Sequence, residues 1–202
     1  MKKLLLLLVC LITFSSYSQH GLRLGANHAT YSYKWLDNLD FSLGFYIGGV
    51  SRLKLGEVVS IRPELTYYQA GYKVEFEYGP IQWSQKWTNH WLNFTTNLEF
   101  FITDKISIIA GGGYNYKLLS TLKEKGGDYS NSQTINYDQQ EFKDRLLMSG
   151  NIGLCYTINN FFIIDLRYDG SIAYDGAFLG EDFQLDLSQF RQLIKLGVGV
   201  LF

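Results

Sequence analysis

From Trp91 to Phe101 the chain reads WLNFTTNLEFF. Leu92, Phe94, Leu98 and Phe100 fall on one side of this segment, and Asn93, Thr95, Asn97 and Glu99 on the other. A period of two sends successive side chains to opposite faces of a strand, so the segment predicts a β-strand with one apolar and one polar face. The final stretch repeats the pattern, with Ile194, Leu196, Val198, Val200 and Phe202 alternating with Lys195, Gly197 and Gly199. Between Ser60 and Tyr68, Ile61, Pro63, Leu65 and Tyr67 oppose Arg62, Glu64 and Thr66, although Pro63 removes one ladder donor. From Phe162 to Ile172 the set Phe162, Ile164, Leu166 and Tyr168 opposes Asp165, Arg167 and Asp169. Four further segments fit less cleanly: Leu22 to Tyr33, Phe41 to Leu53, Ile106 to Leu118, and Arg145 to Thr157. Eight strands result.

Each of these strands has nine to thirteen residues. A tilted strand crosses a bilayer in about 9 to 11 residues, whereas strands of soluble proteins average about 5 to 6. Three links are short and polar, at Lys54 to Glu57, Thr103 to Lys105 and Ile158 to Asn160. Between them lie longer ones, near residues 69 to 90, 119 to 144 and 173 to 190, with a modest one at Lys34 to Asp40. This predicts an all-β fold: an eight-stranded antiparallel up-and-down transmembrane β-barrel with short periplasmic turns and long extracellular loops.

A basic side chain facing lipid at the midplane costs about 2 to 4 kcal/mol. Arg23, Arg52, Arg62, Glu64, Glu99, Lys117, Asp165, Arg167, Asp169 and Lys195 are therefore expected to point inward, where both signs can pair. Eight strands enclose a space that side chains fill, so a charged plug is expected and not a pore. Tyr67, Trp91, Tyr116 and Tyr168 are read as one interfacial aromatic girdle, and Phe101, Tyr156, Phe162 and Phe202 as the other. A soluble lipocalin-like barrel has the same alternation with its faces exchanged; strand length and loop asymmetry argue against it.

The composition agrees. Apolar residues make up 47% and charged residues 18%, with 20 Gly and 2 Pro, yet beyond the N-terminus no run reaches the roughly 18 apolar residues of a membrane helix. Residues 1–18 have the parts of a secretory signal: Lys2 and Lys3, an apolar run from Leu4 to Phe14, and small residues at Ser16 and Ser18. Cleavage before Gln19 leaves residues 19–202 as the barrel domain, exported through the periplasm to the outer membrane. It also leaves 16 basic against 19 acidic residues, a formal charge of −3, which offers no basic surface for nucleic acid. Cys155 alone survives, so no internal disulfide can form.

The stretches GLRLGAN (21–27), IRPELTYY (61–68), IAGGGYNY (109–116), DLRYDGSI (165–172) and the terminal KLGVGVLF, taken in order, resemble the PorT-like outer-membrane β-barrel family. That resemblance implies the barrel fold and outer-membrane location, and no secretion or gliding role is carried over from it. The ending also resembles the assembly signal of outer-membrane barrels, through Lys195, Gly197, Val200 and Phe202, and so implies recognition by the barrel-assembly machinery.

No motif assigns an activity. A nucleophilic hydrolase needs a hydroxyl, a base and an orienting acid within hydrogen-bond reach. His28 with Thr30 or Ser32 is a loose candidate, and His90 opens the fourth strand. Gly111 to Gly113 is followed by more strand and not by a helix, so it is no phosphate cradle. No spacing suits zinc or calcium, and no cofactor is expected. The reading is a noncatalytic, monomeric barrel in a lipid bilayer, with an envelope-structural or partner-docking role at its extracellular loops. The alternative is a lipid-modifying enzyme with a site at the outer rim. One loop stands out: YKVEFEY from Tyr72 to Tyr78 continues the alternation past the membrane boundary, Gly79 and Pro80 signal a turn, and Ile81 to Trp87 alternates again. A hairpin displaying Tyr72, Phe76, Tyr78, Trp83 and Trp87, with a free strand edge, is the candidate docking element for a protein partner.

Overall fold

A computed structural model describes residues 18–33, 39–78, 81–127, 129–136, 146–159, 161–174 and 185–202. Residues 1–17 of the expected leader lie outside them. Among the described residues are nine strands: β1 (Ser18–Tyr33), β2 (Leu39–Lys54), β3 (Val59–Tyr78), β4 (Ile81–Phe101), β5 (Ile106–Gly126), β6 (Tyr129–Asn136), β7 (Leu146–Thr157), β8 (Phe162–Tyr174) and β9 (Leu185–Leu201). All pairings are antiparallel. Their hydrogen-bonded order is β4-β3-β2-β1-β9-β8-β7-β5-β6, and β4 also pairs with β5, so eight strands close a ring and β6 joins it from β5. At the closing seam the His20 amide donates to the Phe202 carbonyl (3.0 Å) and the Phe202 amide to the His20 carbonyl (2.7 Å). Closure removes the unpaired edges that an open sheet would expose, which lipid cannot satisfy.

The short links occur where expected. After β4, the Thr103 hydroxyl accepts from the Ile106 and Lys105 amides; after β7, the Asn159 side chain accepts from the Phe161 and Phe162 amides. Much of the described part of the long links is strand. β3 and β4 stay paired from Val59↔Phe100 to Tyr78↔Ile81, and β5 runs on to Gly126. The stretch 119–144, expected as a loop, contains the end of β5 and the whole of β6, so the eight-stranded count omits one strand. Its sequence, YSNSQTIN, places only Tyr129 and Ile135 at apolar positions, too faint an alternation to read.

The faces sort with polar side chains inside. Arg23, Arg62, Glu64, Glu99, Asp165, Arg167, Asp169 and Lys195 are buried, while Leu22, Leu24, Phe94, Leu98, Leu166, Leu196 and Val198 are exposed around the wall. Arg62 shows 0% exposure and Leu24 57%. A soluble barrel has the opposite sorting; so broad an apolar exterior suits hydrocarbon as its solvent. Two apolar clusters pack in the interior alongside the ions: Ala29, Tyr46, Tyr68, Ala70, Trp91 and Leu193, and Val50, Ile109, Cys155, Ile163 and Leu201. Trp91 is thus not part of an interfacial girdle. It sits on the inward, odd-numbered face of β4, stacked on Tyr68 at 6.4 Å. Phe101 shares that parity and lies under the Arg52 guanidinium at 5.4 Å. Tyr156, Phe162, Tyr168 and Phe202 are exposed, as girdle residues should be.

Candidate functional site

The alternation of β1, β2, β3, β4 and β8 drives seven charged side chains into one layer of the interior. Glu64 is its hub. Both its oxygens accept from Arg167 (2.9 and 2.9 Å), Arg23 donates to it as well, and the Arg62 Nε lies 2.9 Å away. Asp165 accepts from Arg23 Nη2 at 2.5 Å, with Arg167 Nε at 3.4 Å and Arg62 Nη2 at 3.8 Å. Glu99 receives Arg52 through two bonds (2.8 and 2.7 Å), the Ser60 and Ser107 hydroxyls, and Arg62 Nη1 at 3.4 Å. Beyond this layer Lys195 donates to Asp169 at 3.0 Å. Planar guanidiniums held by two bonds fix strand against strand, and four cations face three anions where water is excluded, with Arg62 Nη2 and Asp165 Oδ2 among the buried atoms that make no hydrogen bond. The chemistry this arrangement performs is mechanical: it fills and ties the lumen.

Above the layer, cations lie on ring faces. Arg191 sits 4.5 Å from the Trp91 ring centre and 5.2 Å from that of Tyr68, and Lys195 sits 4.8 Å from Tyr68. Arg191 also donates to the Ser171 hydroxyl at 2.6 Å, and the Tyr68 hydroxyl donates to Asn115 at 2.8 Å. Nothing along the chain marks this stack, because Arg191 precedes the last clean alternation and Trp91 reads equally well as an interfacial residue.

The docking hairpin is one part of a wider sheet. β4 is flanked by β5 as far as Trp83↔Gly126, β5 by β6, and β3 by the start of β2 at Leu39↔Val74. The expected free edges of the hairpin are therefore covered up to Trp83 on β4 but only up to Val74 on β3. An extra residue, Leu118, enters β5 where Trp91 faces Lys117 and His90 faces Leu119. This bulge returns Ser120 to the buried face that Asn115 occupies below it. Above it, Tyr72, Val74, Gln85, Trp87 and Trp83 line the face continuous with the lumen. Tyr72 stacks on Trp87 at 6.3 Å, and Trp83 packs against Tyr129 of β6 at 5.5 Å. A Cβ on Gly126 would lie 2.4 Å from the Trp83 ring, so glycine is what admits that indole. Phe76 pairs with Trp83 and Tyr78 with Ile81 in register; the side chains of Phe76 and Tyr78 lie outside the described residues.

Among the described residues His90 belongs to no triad, and the side chain of Ser32, a candidate partner of His28, lies outside them. The His90 Nδ1 lies 2.6 Å from the Tyr67 hydroxyl and 3.5 Å from the Gln69 amide, on the outward face, and among the described residues no carboxylate reaches it. His28 stands opposite Leu43 and Ile194 in the wall. Among the described residues no group of three or more His, Cys, Asp or Glu side chains could hold a metal ion.

The family described as "Outer membrane protein beta-barrel domain" matches residues 13–173. The chain belongs to that family. No curated protein matches the sequence. Among solved structures, this outer-membrane barrel is similar to Ail, the attachment invasion locus protein of Yersinia pestis, with 16% identity, a TM-score of 0.51, and 92% of this chain covering 99% of that one. It is also similar to Neisserial surface protein A, with 12% identity, a TM-score of 0.51, and 91% of this chain covering 97% of that one. At such identities the likeness is one of fold; the family match places the barrel in the outer membrane. In the barrel's terminal strand Lys195 points inward onto Asp169, Gly197 lies beneath the Tyr46 ring, and Val200 and Phe202 face outward.

Proposed function

We propose that this protein is a noncatalytic outer-membrane barrel that docks a protein partner on its extracellular sheet. The observation that carries this reading is the register of β3 and β4, unbroken to Tyr78↔Ile81, far past the apolar wall. Twenty- and twenty-one-residue strands exceed the roughly 9 to 11 needed to span, so a large part of the ordered structure serves something outside the bilayer. Tyr72, Trp83 and Trp87, with Phe76 and Tyr78 in the same strands, supply aromatic contact area at small entropic cost. Within the family we place the chain with the PorT-like barrels, on the stretches from GLRLGAN to KLGVGVLF.

Replacing residues 73–87 with an Asn-Gly turn tests the reading. The barrel should remain folded and heat-modifiable, while affinity capture from intact envelopes loses the partners that the full protein retains. Equal recovery by the shortened barrel would remove the hairpin from the interface. A lipid-modifying enzyme at the rim is the second reading, resting on the 2.6 Å contact of His90 with Tyr67. A phenol and an amide beside an imidazole lack the orienting acid of an acyl-transfer site, so the docking reading is favoured.

A further inference from the structure

The outward face of the extracellular sheet differs in kind from its aromatic face. Lys73 of β3 stands directly opposite Lys86 of β4, and Lys86 directly opposite Lys123 of β5, with Ser132 of β6 next in the row. The following row reads Glu75, Ser84, Lys125 and Ser130. Directly opposed residues on antiparallel strands hold their Cβ atoms about 4.5 to 5.5 Å apart, and like charges there are destabilising. Lys73 is bonded to Glu75. Lys86, Lys123 and Lys125 are exposed and make no ion pair among the described residues. Asp40 of β2 stands opposite Lys73 at the end of the first row, so four cations share two adjacent rows with two acids, in a chain whose formal net charge is −1.

The position of these rows selects their counter-charge. Descending β4 on this same face, Lys86 is followed by Thr88, by His90 against Tyr67, and then by the lipid-facing Leu92 and Phe94. From His90 to Lys86 is about 13 Å of strand at about 3.3 Å per residue, or about 10 Å of height at the usual barrel tilt. Lysine stems reach down as they snorkel toward an interface. The ammonium groups therefore meet the headgroup layer of the surrounding leaflet, with the hydroxyls of Thr88, Thr121 and Ser132 beside them as further donors to phosphate oxygen. We infer that the Lys73, Lys86, Lys123 and Lys125 face binds phosphate-bearing lipid headgroups of the barrel's own outer leaflet. The bound anions relieve the repulsion within the lysine row and hold the sheet against the membrane.

The test uses full-length protein in phosphatidylcholine nanodiscs containing a minor fraction of diphosphorylated lipid A, released and weighed by native mass spectrometry. Wild type should retain lipid A in preference to phosphatidylcholine. Each lysine near an anionic surface contributes about fivefold in affinity, so the combined Lys86→Gln, Lys123→Gln, Lys125→Gln variant should lose that preference about tenfold or more. The corresponding triple Arg variant should keep it, and heat-modifiability should be unchanged in both. If the Gln triple fails to fold, Lys86→Gln alone is measured and should lose about fivefold. Equal lipid A preference in wild type and Gln variants, or none in wild type, overturns the inference. Lysine-dependent binding of a soluble sulfated polysaccharide, with no lipid A preference, also overturns it and assigns the face to a free polyanion.

Discussion

Replacing Glu64 with Gln should destabilise the barrel more than removing the arginine that holds it most fully. The layer contains four guanidiniums, Arg23, Arg52, Arg62 and Arg167, against three carboxylates, Glu64, Glu99 and Asp165. Glu64→Gln keeps the shape but leaves four cations facing two anions, with three guanidiniums still crowded on a neutral amide. Breaking a buried pair from one side costs about 3 to 5 kcal/mol, and that range applies here. Arg167→Met instead leaves three against three, and Glu64 keeps Arg23 and Arg62. Its two lost charge-assisted bonds are partly offset by relief of the excess charge, so about 1 to 2 kcal/mol is expected. The double variant should fall short of the sum by about 2 kcal/mol, because the two residues share one network. Equilibrium urea unfolding in phosphatidylcholine vesicles, followed by tryptophan fluorescence, measures all three, with Asp104→Asn on an exposed turn as a control expected within about 0.5 kcal/mol of wild type. If Arg167→Met costs as much as Glu64→Gln, or Glu64→Gln behaves like the control, the hub does not organise the lumen.

Two further outcomes follow from the terminal strand. Deleting Phe202 removes an exposed ring together with both seam hydrogen bonds to His20, and should reduce the heat-modifiable form in outer-membrane fractions while total synthesis stays constant; an unchanged folded yield would refute an assembly role for this residue. Gly197→Ala would place a Cβ 1.7 Å from the Tyr46 hydroxyl oxygen, so a loss of about 1 to 3 kcal/mol is expected, most of it recovered when Tyr46→Leu is combined with it; strict additivity in urea titrations would show that the contact is not the cause.

Much of this molecule can be read from single strands. WLNFTTNLEFF displays its two faces within eleven residues, and the charges at Arg62, Glu64, Asp165 and Arg167 fall on one parity each time. The outer sheet is legible only in its first half, where YKVEFEY carries strong apolar alternation. The polar YSNSQTIN pairs because β5 extends beside it, and its own side chains announce nothing. Trp91 shows the limit at a single residue: its odd position in β4 decides for the interior, while its chemistry suits an interface equally well.

The sequence by itself determined the period of two, the separation of apolar from charged positions, and the number of strands in the ring, because each is a local property of consecutive residues. Alternation alone does not say which face is the inside, since it is unchanged when the two faces are exchanged; strand length and the cost of a charge in lipid turned the charged face inward. Tertiary structure decided which charges pair, by closing β1 on β9 and bringing Arg23 to Asp165 across 142 residues and Arg167 to Glu64 across 103. It also set the row of Lys73, Lys86 and Lys123, which exists only in the register of three strands. Charges so distant along the chain carry no mark of their partners, and only ring closure makes them neighbours.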